Sequence, residues 1–566
     1  MMRNIFTQNV TIIFSKKTMF TLFVVASTLT AGTIHPVLIE KMSGLGNGEM
    51  VHIIIHMKNQ TGLAELPGSF SKNDKINYLK YFAKADQKRL LDYLSNFPDQ
   101  LSGLQSYWIF NGLALKTTKD IVISLAGCEE VAFITYNYNI VLKDDFLLLQ
   151  NDTILRATEW NIRKIMADSC WNEGYDGSGV IIGNIDSGVD TTHPALLGKW
   201  YPSGWFDAVN GLPGPYDDHG HGTFTMGIIC GGDGNGPFEN DIGVAPGAKY
   251  IVAKAFDSTG AATYTALHSC LQWFATQNTH IVNNPWNESD VISLEFWDDC
   301  LNLRNLGIFP VFKGGGTATG QIRPPGNFPT VIGVGATDSL DNITSYSGRG
   351  PAPNQSPWND SLYWYRSDWN LIKPDIAAPG HNIRSSWPGG GYVIENGTSW
   401  AASHVAGACA ILLQQDSSLT PSSLYNILLD NADNPVQGGP YPNFEYGWGR
   451  LNVHSALHAV DIEEKTSQQL ILRLAVYPNP FRESVNINYK TFNCCEKQIN
   501  QKYHVIAIYD TAGRLVTQFT PSAIQSFNQI VWYGTDDGGN KLCAGIYFIE
   551  VNLGNDKILE KVVLVR

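Results

Sequence analysis

The chain has 566 residues, of which 43% are apolar and 16% charged, so it can build several hydrophobic cores. A wholly disordered or coiled-coil protein is therefore excluded. The 39 Lys and Arg residues against 52 Asp and Glu residues give a formal charge of −13, which argues against a nucleic-acid partner, because such proteins usually carry a basic surplus.

The first 35 residues are typical of a targeting segment. Lys16 and Lys17 precede an uncharged stretch, Thr18 to Gly32, which is short for a transmembrane helix and ends in small residues. A cleaved secretory signal peptide over residues 1–35 is favoured, and a single N-terminal anchor is the alternative.

Residues 36–157 are predicted to form a small α+β unit followed by a polar linker near Lys143–Thr158. Apolar residues recur at helical spacing from Ile76 to Phe97 until Pro98 stops the pattern. The remaining predicted elements are the strands Val51–His56, Ser106–Thr117 and Val131–Val141 and the helix Thr118–Leu125. This order of strands and helices predicts a split βαβ fold.

Residues 158–460 show a different pattern, in which short β-branched runs alternate with helical stretches. Such alternation predicts βαβ units around a buried parallel sheet. The predicted strands are Val180–Ile185, Tyr250–Ala255, Ile281–Asn283, Ile308–Phe312 and Val331–Val334. A second linker is predicted at 461–471.

The tail, residues 472–566, consists of short alternating strands separated by turn residues, and it predicts an all-β sandwich of immunoglobulin-like size. The predicted strands are Val485–Tyr489, His504–Tyr509, Ile530–Tyr533, Gly545–Val551 and Lys557–Val565.

The nine cysteines fit neither a zinc-ligand spacing nor a disulfide-dense scaffold, so one or two disulfides stay open. Cys409 lies within an apolar run and is predicted to be a core residue.

Three segments of the central region carry residues suited to catalysis. Asp186 follows a buried-looking strand, where open α/β sheets bind ligands, although Asp-Ser-Gly is also ordinary turn chemistry. His221 lies between two glycines and outside any apolar stripe, with His219 as a competitor. Ser399 opens an Ala- and Gly-rich helix, where it is either a nucleophile favoured by the helix dipole or a plain N-cap.

The three segments together supply a carboxylate, a base and a nucleophile in the order Asp, His, Ser. A serine hydroxyl needs an imidazole to take its proton, and the imidazole needs a carboxylate to fix its tautomer. With this order the chain resembles the subtilisin-like serine proteases, or subtilases. Further segments fit the same resemblance over roughly 300 residues: Gly243–Ala248, Lys373–Gly380 and Gly447–Asn452.

The resemblance implies that Asp186, His221 and Ser399 form a catalytic triad in a secreted endopeptidase acting on proteins or peptides. It also implies that the small N-terminal unit is a propeptide that assists folding, inhibits the protease and is then removed. The cleavage position is open within Asp144–Thr158. Calcium is common in the family, yet no ligand set in this sequence is specific enough to name.

The chain departs from the family at the oxyanion hole and at the substrate pocket. Gly316 stands where the family usually has an asparagine whose amide helps to hold the oxyanion. Asn284, Pro285 and Trp286 occupy a segment that usually backs the P1 pocket, and Pro285 removes a backbone N–H there. Phe224, Trp400 and Ser403 also differ from the commoner residues. A subtilase-fold binding or structural module with a weakened oxyanion hole is therefore the alternative to an active enzyme.

The tail resembles the C-terminal sorting domains of type IX secretion substrates in Val476–Phe481, Ile508–Arg514, Ala544–Ile549 and Lys561–Arg566. That resemblance implies export or attachment to the bacterial cell surface, with the type IX machinery as a partner. An ordinary immunoglobulin-like module is the alternative.

Overall fold

The computed structural model describes most of the chain from residue 32 onwards. The described residues are 32–60, 63, 70–142, 145–150, 158–232, 242–315, 320–466, 471–477, 479–492, 505–519, 529–552 and 557–565. Most of the predicted signal peptide lies outside these ranges, as does Gly316. Within them, no helix is both long and apolar enough to cross a membrane.

The N-terminal unit is a five-stranded sheet, ordered β1-β5-β2-β4-β3, with three of its four helices packed in the core on one face. The elements of this part of the chain are β1 (Thr33–Ile34), α1 (Pro36–Ser43), β2 (Met50–Met57), α2 (Lys72–Asp86), α3 (Lys88–Leu94), β3 (Leu101–Tyr107), β4 (Gly112–Thr118), α4 (Lys119–Ala126), β5 (Val131–Tyr136), β6 (Asn139–Val141) and β7 (Asp145–Gln150). Strands β2 to β5 have the βαββαβ order of a split βαβ fold, with one more strand than predicted.

Three predictions for this unit were wrong in detail. The single helix from Ile76 to Phe97 is two helices that meet at Gln87, whose buried amide donates to the Tyr107 carbonyl at 2.8 Å. The strand Ser106–Thr117 is a hairpin, because the chain turns at Asn111, which has a φ of 42°. Strand β1 pairs with β5 inside the range predicted as signal peptide.

Strand β2 is buried on both faces because it separates two cores. Val51, Ile53 and Ile55 pack against α3 and α4, while Ile54 joins the core of the next domain. Alternate residues of a strand point to opposite faces, so His56 lies on the same side as Ile54. The N-terminal unit therefore shares a hydrophobic core with the domain that follows it.

The central domain is built on a seven-stranded parallel sheet, ordered β15-β14-β13-β12-β8-β10-β9. The seven strands of this sheet are β8 (Ile181–Asp186), β9 (Trp200–Asp207), β10 (Lys249–Lys254), β12 (Ile281–Asn284), β13 (Phe309–Lys313), β14 (Ile332–Thr337) and β15 (Ile376–Pro379). Three further strands of the domain lie outside it: β11 (Ala261–Thr263), β16 (Ile383–Trp387) and β17 (Gly391–Asn396). All five predicted strands belong to this sheet, which confirms the predicted α/β class.

Helices cover both faces of the sheet and bury two cores. They are α5 (Trp160–Lys164), α6 (Ala167–Asn172), α7 (His221–Cys230), α8 (Tyr264–Ala275), α9 (Trp297–Asn305), α10 (Thr398–Gln415), α11 (Pro421–Asp430) and α12 (Val453–Thr466). One core packs α7 and α10 against one face of the sheet, and the other core packs α8 and α9 against the opposite face. Gly407 lets α10 approach its neighbours, because a Cβ there would lie 2.6 Å from Val244. Cys409 is buried in this core, as predicted.

The two small sheets outside the main sheet connect the N-terminal segment to the central domain. Strand β6 pairs antiparallel with β11, and β7 pairs antiparallel with β17, which also pairs with β16. The chain therefore adds one strand to the central domain on each side of residues 143–144.

The tail is a sandwich of two antiparallel sheets, ordered β18-β19-β22 and β21-β20-β23-β24, which confirms a strand-rich C-terminal region. Its strands are β18 (Ile471–Tyr477), β19 (Val485–Phe492), β20 (Val505–Asp510), β21 (Leu515–Phe519), β22 (Gln529–Trp532), β23 (Gly545–Asn552) and β24 (Lys557–Leu564). Strands β18 and β21 were not predicted. The predicted linker 461–471 was wrong in part, because α12 continues to Thr466.

Candidate active site

Asp186 and His221 form a fully buried pair at the carboxyl edge of the sheet. Asp186 is the last residue of β8, and its Oδ1 lies 2.7 Å from Nδ1 of His221. The same carboxylate accepts the Ser187 N–H at 2.7 Å and the Thr225 hydroxyl at 2.9 Å. These bonds fix the carboxylate, so that it in turn orients the imidazole.

Helix α7 begins at His221, and Asp217 holds this first turn in place. Asp217 accepts the N–H of Gly220 and of Thr223, both at 2.8 Å, and the Thr223 hydroxyl at 2.6 Å. Gly220 has a φ of 105°, a conformation that a glycine adopts without strain. The glycines that the sequence places around His221 thus shape a tight entry to the helix.

Ser399 is the second residue of α10 and is fully buried. Its hydroxyl donates to the Pro285 carbonyl at 3.1 Å, and Nζ of Lys313 donates to Ser399 Oγ at 3.3 Å. The next residue, Trp400, lies with its ring centroid 4.9 Å from that of His221. The start of α10 therefore packs against the imidazole of the Asp186–His221 pair.

Phe224 and Trp400, which differ from the commoner family residues, pack against each other at 4.2 Å between ring centroids. They form a small apolar core with Ile228, Ile383 and Val393 beside His221. The two large rings fill this small core together, so these two differences from the commoner family residues share a packing role next to the site.

The residues predicted for the oxyanion hole and pocket have different positions. Pro285 contacts Ser399, as described above. The Asn284 amide donates to the Val282 carbonyl at 2.9 Å, and Trp286 packs in the core against Phe312. Asn284 and Trp286 are thus buried structural side chains. Gly316 lies outside the described residues.

Sequence reasoning missed Lys313 and Asp217. Lys313 ends β13 and is 2% exposed, although a lysine is almost never so buried without a partner. The signal that could have found it is a lysine in the apolar run FPVFK immediately before the glycines. Asp217 could have been found as an acidic residue one turn ahead of a helix that starts at a candidate base.

A second buried cluster of ionisable side chains joins the N-terminal unit to the central domain. Glu295 Oε1 lies 3.0 Å from Nε2 of His56 and 3.1 Å from Nε2 of His268, and Asp299 lies 3.0 Å from Nδ1 of His268. Burial opposes the charge on His268, but Asp299 and Glu295 outweigh it and raise the pKa of His268 to about 9. Burial likewise opposes the charge on Glu295, but His56 and His268 outweigh it and lower its pKa to about 2.

Two groups among the described residues bring three candidate metal-ligand atoms together. They are the buried group His56, His268 and Glu295 and the more exposed group Glu173, His454 and His458. Calcium takes oxygen ligands, and each group contains two histidines, so neither fits calcium. Structural calcium stays a prediction. The seven cysteines within the described ranges are free thiols.

A carboxylate–histidine pair beside a buried serine, at the carboxyl edge of a parallel sheet, is the arrangement of a serine hydrolase. The chain matches the subtilase family over residues 177–449 and the secretion system C-terminal sorting domain over residues 475–565. The chain belongs to the subtilase family.

Several bacterial proteases are similar to this chain. It is 33% identical to Bacillopeptidase F of Bacillus subtilis over 427 residues, which cover 68% of this chain and 28% of that protein. It is 30% identical to the alkaline protease of Alkalihalobacillus alcalophilus over 54% of this chain and 71% of that protein. It is also 30% identical to Subtilisin Savinase of Lederbergia lenta over 53% of this chain and 99% of that protein.

Family membership and these relatives identify the chain as a subtilisin-like serine endopeptidase. The sorting domain assigns it to secretion or to attachment at the cell surface.

Proposed function

We propose that this chain hydrolyses peptide bonds in proteins through a triad of Asp186, His221 and Ser399, and that it is made as a self-inhibited precursor. The observation that carries the proposal is the Asp186–His221 contact of 2.7 Å with the start of α10 packed against the imidazole. The membership of the chain in the subtilase family favours an active enzyme over a binding module.

Each residue of the proposed triad has one task. His221 takes the proton of Ser399 as Oγ attacks the substrate carbonyl, and Asp186 stabilises the resulting imidazolium. His221 then gives the proton to the leaving amine, which releases the first product and leaves an acyl group on Ser399. Water attacks the acyl group in a second round of the same proton transfers and frees Ser399.

The test is casein hydrolysis by the purified full-length protein, with Ser399→Ala as the matched control. Hydrolysis by the wild type that is lost in the variant supports the proposal. A folded wild-type protein that stays inert, even after an added protease has removed the N-terminal unit, would contradict the proposal. It would favour the alternative, a binding or structural module.

Residues 36–157 are proposed to comprise the propeptide and a linker, and the contacts of the propeptide with the central domain support an inhibitory role. Beyond the shared core and the His56 cluster, the Trp108 N–H donates to Gln272 at 2.7 Å, and the Asn302 amide donates to the Ile109 carbonyl at 2.6 Å. Asn137 accepts the Thr265 N–H at 3.0 Å in the first turn of α8.

The chain leaves this unit in an extended course that supports occupation of the substrate site. After β6 pairs with β11, the Leu142 N–H donates to the Gly260 carbonyl at 2.8 Å. A Cβ at Gly260 would lie 2.8 Å from the His219 ring, two residues before His221. On the other side, Asp145 pairs with Asn396, three residues before Ser399.

Two anchors lie three residues apart, Leu142 on Gly260 next to His219 and Asp145 on Asn396 in the strand that precedes Ser399. They make Leu142–Asp145 the proposed site of self-cleavage. Consecutive Cα atoms lie about 3.8 Å apart, so the Cα atoms of Leu142 and Asp145 are at most about 11 Å apart. N-terminal sequencing of the mature enzyme should give a first residue between 143 and 145. A first residue beyond 150 would contradict this position without touching the triad.

Residues 472–566 are proposed to direct export by a type IX secretion system. The match to a secretion-system sorting domain supports this role. Deleting 472–566 should retain the protein in the periplasm, while deleting only β18, the strand that pairs with β19, tests whether the intact sandwich is needed. Unchanged export of the shortened chain would leave the tail as an ordinary immunoglobulin-like module.

A further inference from the structure

Lys313 places a positive charge against the proposed nucleophile. It is 2% exposed, and its Nζ lies 3.3 Å from Ser399 Oγ. Moving an ammonium group out of water costs free energy that its partners must offset, and Ser399 is one of these partners.

The strand geometry aims this side chain at Ser399. Lys313 is the last residue of β13, so it lies at the carboxyl edge of the sheet. Val311 packs in the core on the α10 side, whereas Phe312 packs in the core on the opposite side. Because side chains alternate along a strand, Lys313 shares the face of Val311, over which α10 begins.

The sequence around Lys313 lacks the donor that the family resemblance leads us to expect. Gly314, Gly315 and Gly316 have no side-chain donors, and Gly316 stands in the place of the usual asparagine. The negative charge in acyl transfer develops on the oxygen of the carbonyl that Ser399 attacks. A donor already within reach of Ser399 Oγ is therefore also close to that oxygen.

We propose that Lys313 is a catalytic residue whose ammonium group stabilises the oxyanion in place of the missing side-chain amide. The inference rests on the proposed function of the site. Ser399 Oγ bonds to the carbonyl carbon, the serine proton passes to His221, and the carbonyl π electrons move to the oxygen. That oxygen takes a hydrogen bond and charge compensation from Lys313. When the C–N bond breaks, the electrons return to the carbonyl and the amine leaves with the proton of His221.

Lysine suits this task because its three N–H donors rotate on a flexible stem. One donor reaches Ser399 Oγ in the resting enzyme, and the group needs only to turn towards the substrate oxygen. A charged donor also forms stronger hydrogen bonds than a neutral amide does. The competing role for Lys313 is to bind an acidic substrate side chain in the P1 pocket.

The experiment compares wild type, Lys313→Met and Lys313→Arg after a trace of wild-type enzyme has processed all three. Methionine keeps the length and apolar stem but removes the charge. With a peptide of neutral P1 residue we expect kcat of Lys313→Met to fall about 10²–10³-fold with little change in KM, because a donor to the oxyanion acts in the transition state. Lys313→Arg, which keeps the charge, should retain more activity.

Two further measurements separate catalysis from packing. A peptide aldehyde, which forms a tetrahedral adduct on the serine, should bind Lys313→Met more weakly by the same factor as kcat/KM falls, while a product peptide should bind equally well. Introducing Gly316→Asn into Lys313→Met should restore at least tenfold in kcat.

An unchanged kcat in Lys313→Met, or a loss confined to substrates with acidic P1 residues, would overturn the proposal. Equal losses of aldehyde and product binding would do the same, since they would indicate a damaged pocket. Activity of the wild type with none in Ser399→Ala keeps the proposed function in place in each of these cases. If Lys313→Met is unfolded by circular dichroism, Lys313→Gln takes its place in every comparison.

Discussion

Two fully buried histidine–carboxylate arrangements lie in the same domain and differ in how many carboxylates the histidine contacts. His221 has Asp186 on Nδ1, with the start of α10 packed against its ring. His268 has a carboxylate on each ring nitrogen, Asp299 on Nδ1 and Glu295 on Nε2. Two acidic partners hold His268 as a cation, so it cannot act as a base.

The comparison teaches that one carboxylate prepares a histidine for proton transfer, whereas two make it a structural ion. A base must be neutral in its resting state, and its second nitrogen must be available to the nucleophile. We therefore expect substitutions at the His221 pair to change rate with little effect on stability, and substitutions at the His268 cluster to do the reverse.

The largest effect is expected for Asp186→Asn. The amide cannot stabilise the imidazolium and favours the wrong tautomer, so kcat should fall about 10⁴-fold while the melting temperature barely changes. Steady-state hydrolysis of a peptide by trans-processed enzyme measures the first quantity. Thr225→Val, which removes only one hydrogen bond to Asp186, is the matched control and should cost less than tenfold. A kcat within tenfold of the wild type in Asp186→Asn would remove the distinction between the two arrangements.

His56→Leu should weaken the hold of the N-terminal unit without changing kcat of the mature enzyme. Removing one partner of a buried ion pair costs about 3–5 kcal/mol. Glu295 still pairs with His268 in this variant, so we expect a cost at the lower end of that range. The processed complex should then dissociate at about hundredfold higher concentration, read from the recovery of activity on dilution. His35→Leu, at a histidine that caps α1, is the control. Equal dilution curves for wild type and His56→Leu would show that the cluster does not hold the two units together.

Stability should fall as the pH rises through about 9. The folded pKa of His268 is about 9 and its ordinary value is 6.5, so its contribution is complete below 6.5 and is lost above about 9. Between pH 7 and 10 the free energy of unfolding should therefore fall by about 2 kcal/mol. Urea unfolding of the Ser399→Ala precursor measures this loss. His56, Glu295, Asp299 and Asp298 face the same cluster. Burial raises the pKa of Asp298 to about 7, so this carboxyl titrates at the lower end of the tested range.

The matched control for that pH series is His268→Asn, which cannot become a cation and should lose most of the pH dependence. An identical slope in the variant would mean that another group titrates over this range.

The smallest effect is expected for Asp217→Asn. This variant tests whether a residue that only positions His221 also affects the rate. Asp217 positions His221 through the first turn of α7 and touches no substrate. The loss of a helix cap costs about 1–2 kcal/mol of stability, and a loosened imidazole should lower kcat about tenfold. The apparent pKa in the pH–rate profile should move as well, which a purely structural role would not cause. Asp416→Asn, at an aspartate that likewise accepts a backbone N–H, that of Ser418 just after the C-terminal end of α10, is the control.

The parts of the molecule that depend on local chemistry were predictable from the sequence. The strand that ends at Asp186 and the helix that carries Ser399 in its first turn follow from runs of apolar residues bounded by small and polar ones. The turn at Asn111 and the meeting of α2 and α3 at Gln87 were not predictable in this way. In both places a side chain contacts residues that are distant in sequence, which no periodicity records.

The His268 cluster escaped prediction for the same reason. His56 and Glu295 are 239 residues apart, and neither belongs to a motif. Lys313 was visible as a lysine in an apolar strand, yet its target, Ser399, lies 86 residues further on. The order of the strands in the sheet determines which of these distant residues meet in the fold.

The pairing of β6 with β11 has a consequence for which proteins this enzyme can cut. In the proposed mature enzyme β11 no longer pairs with β6, and its backbone groups are open to pairing with an extended substrate chain. A helix, or a strand in the middle of a sheet, has already used its own N–H and C=O groups. We therefore expect cleavage at loops and unfolded stretches that can lie extended over about three residues, so the target's fold should protect it as much as its sequence does.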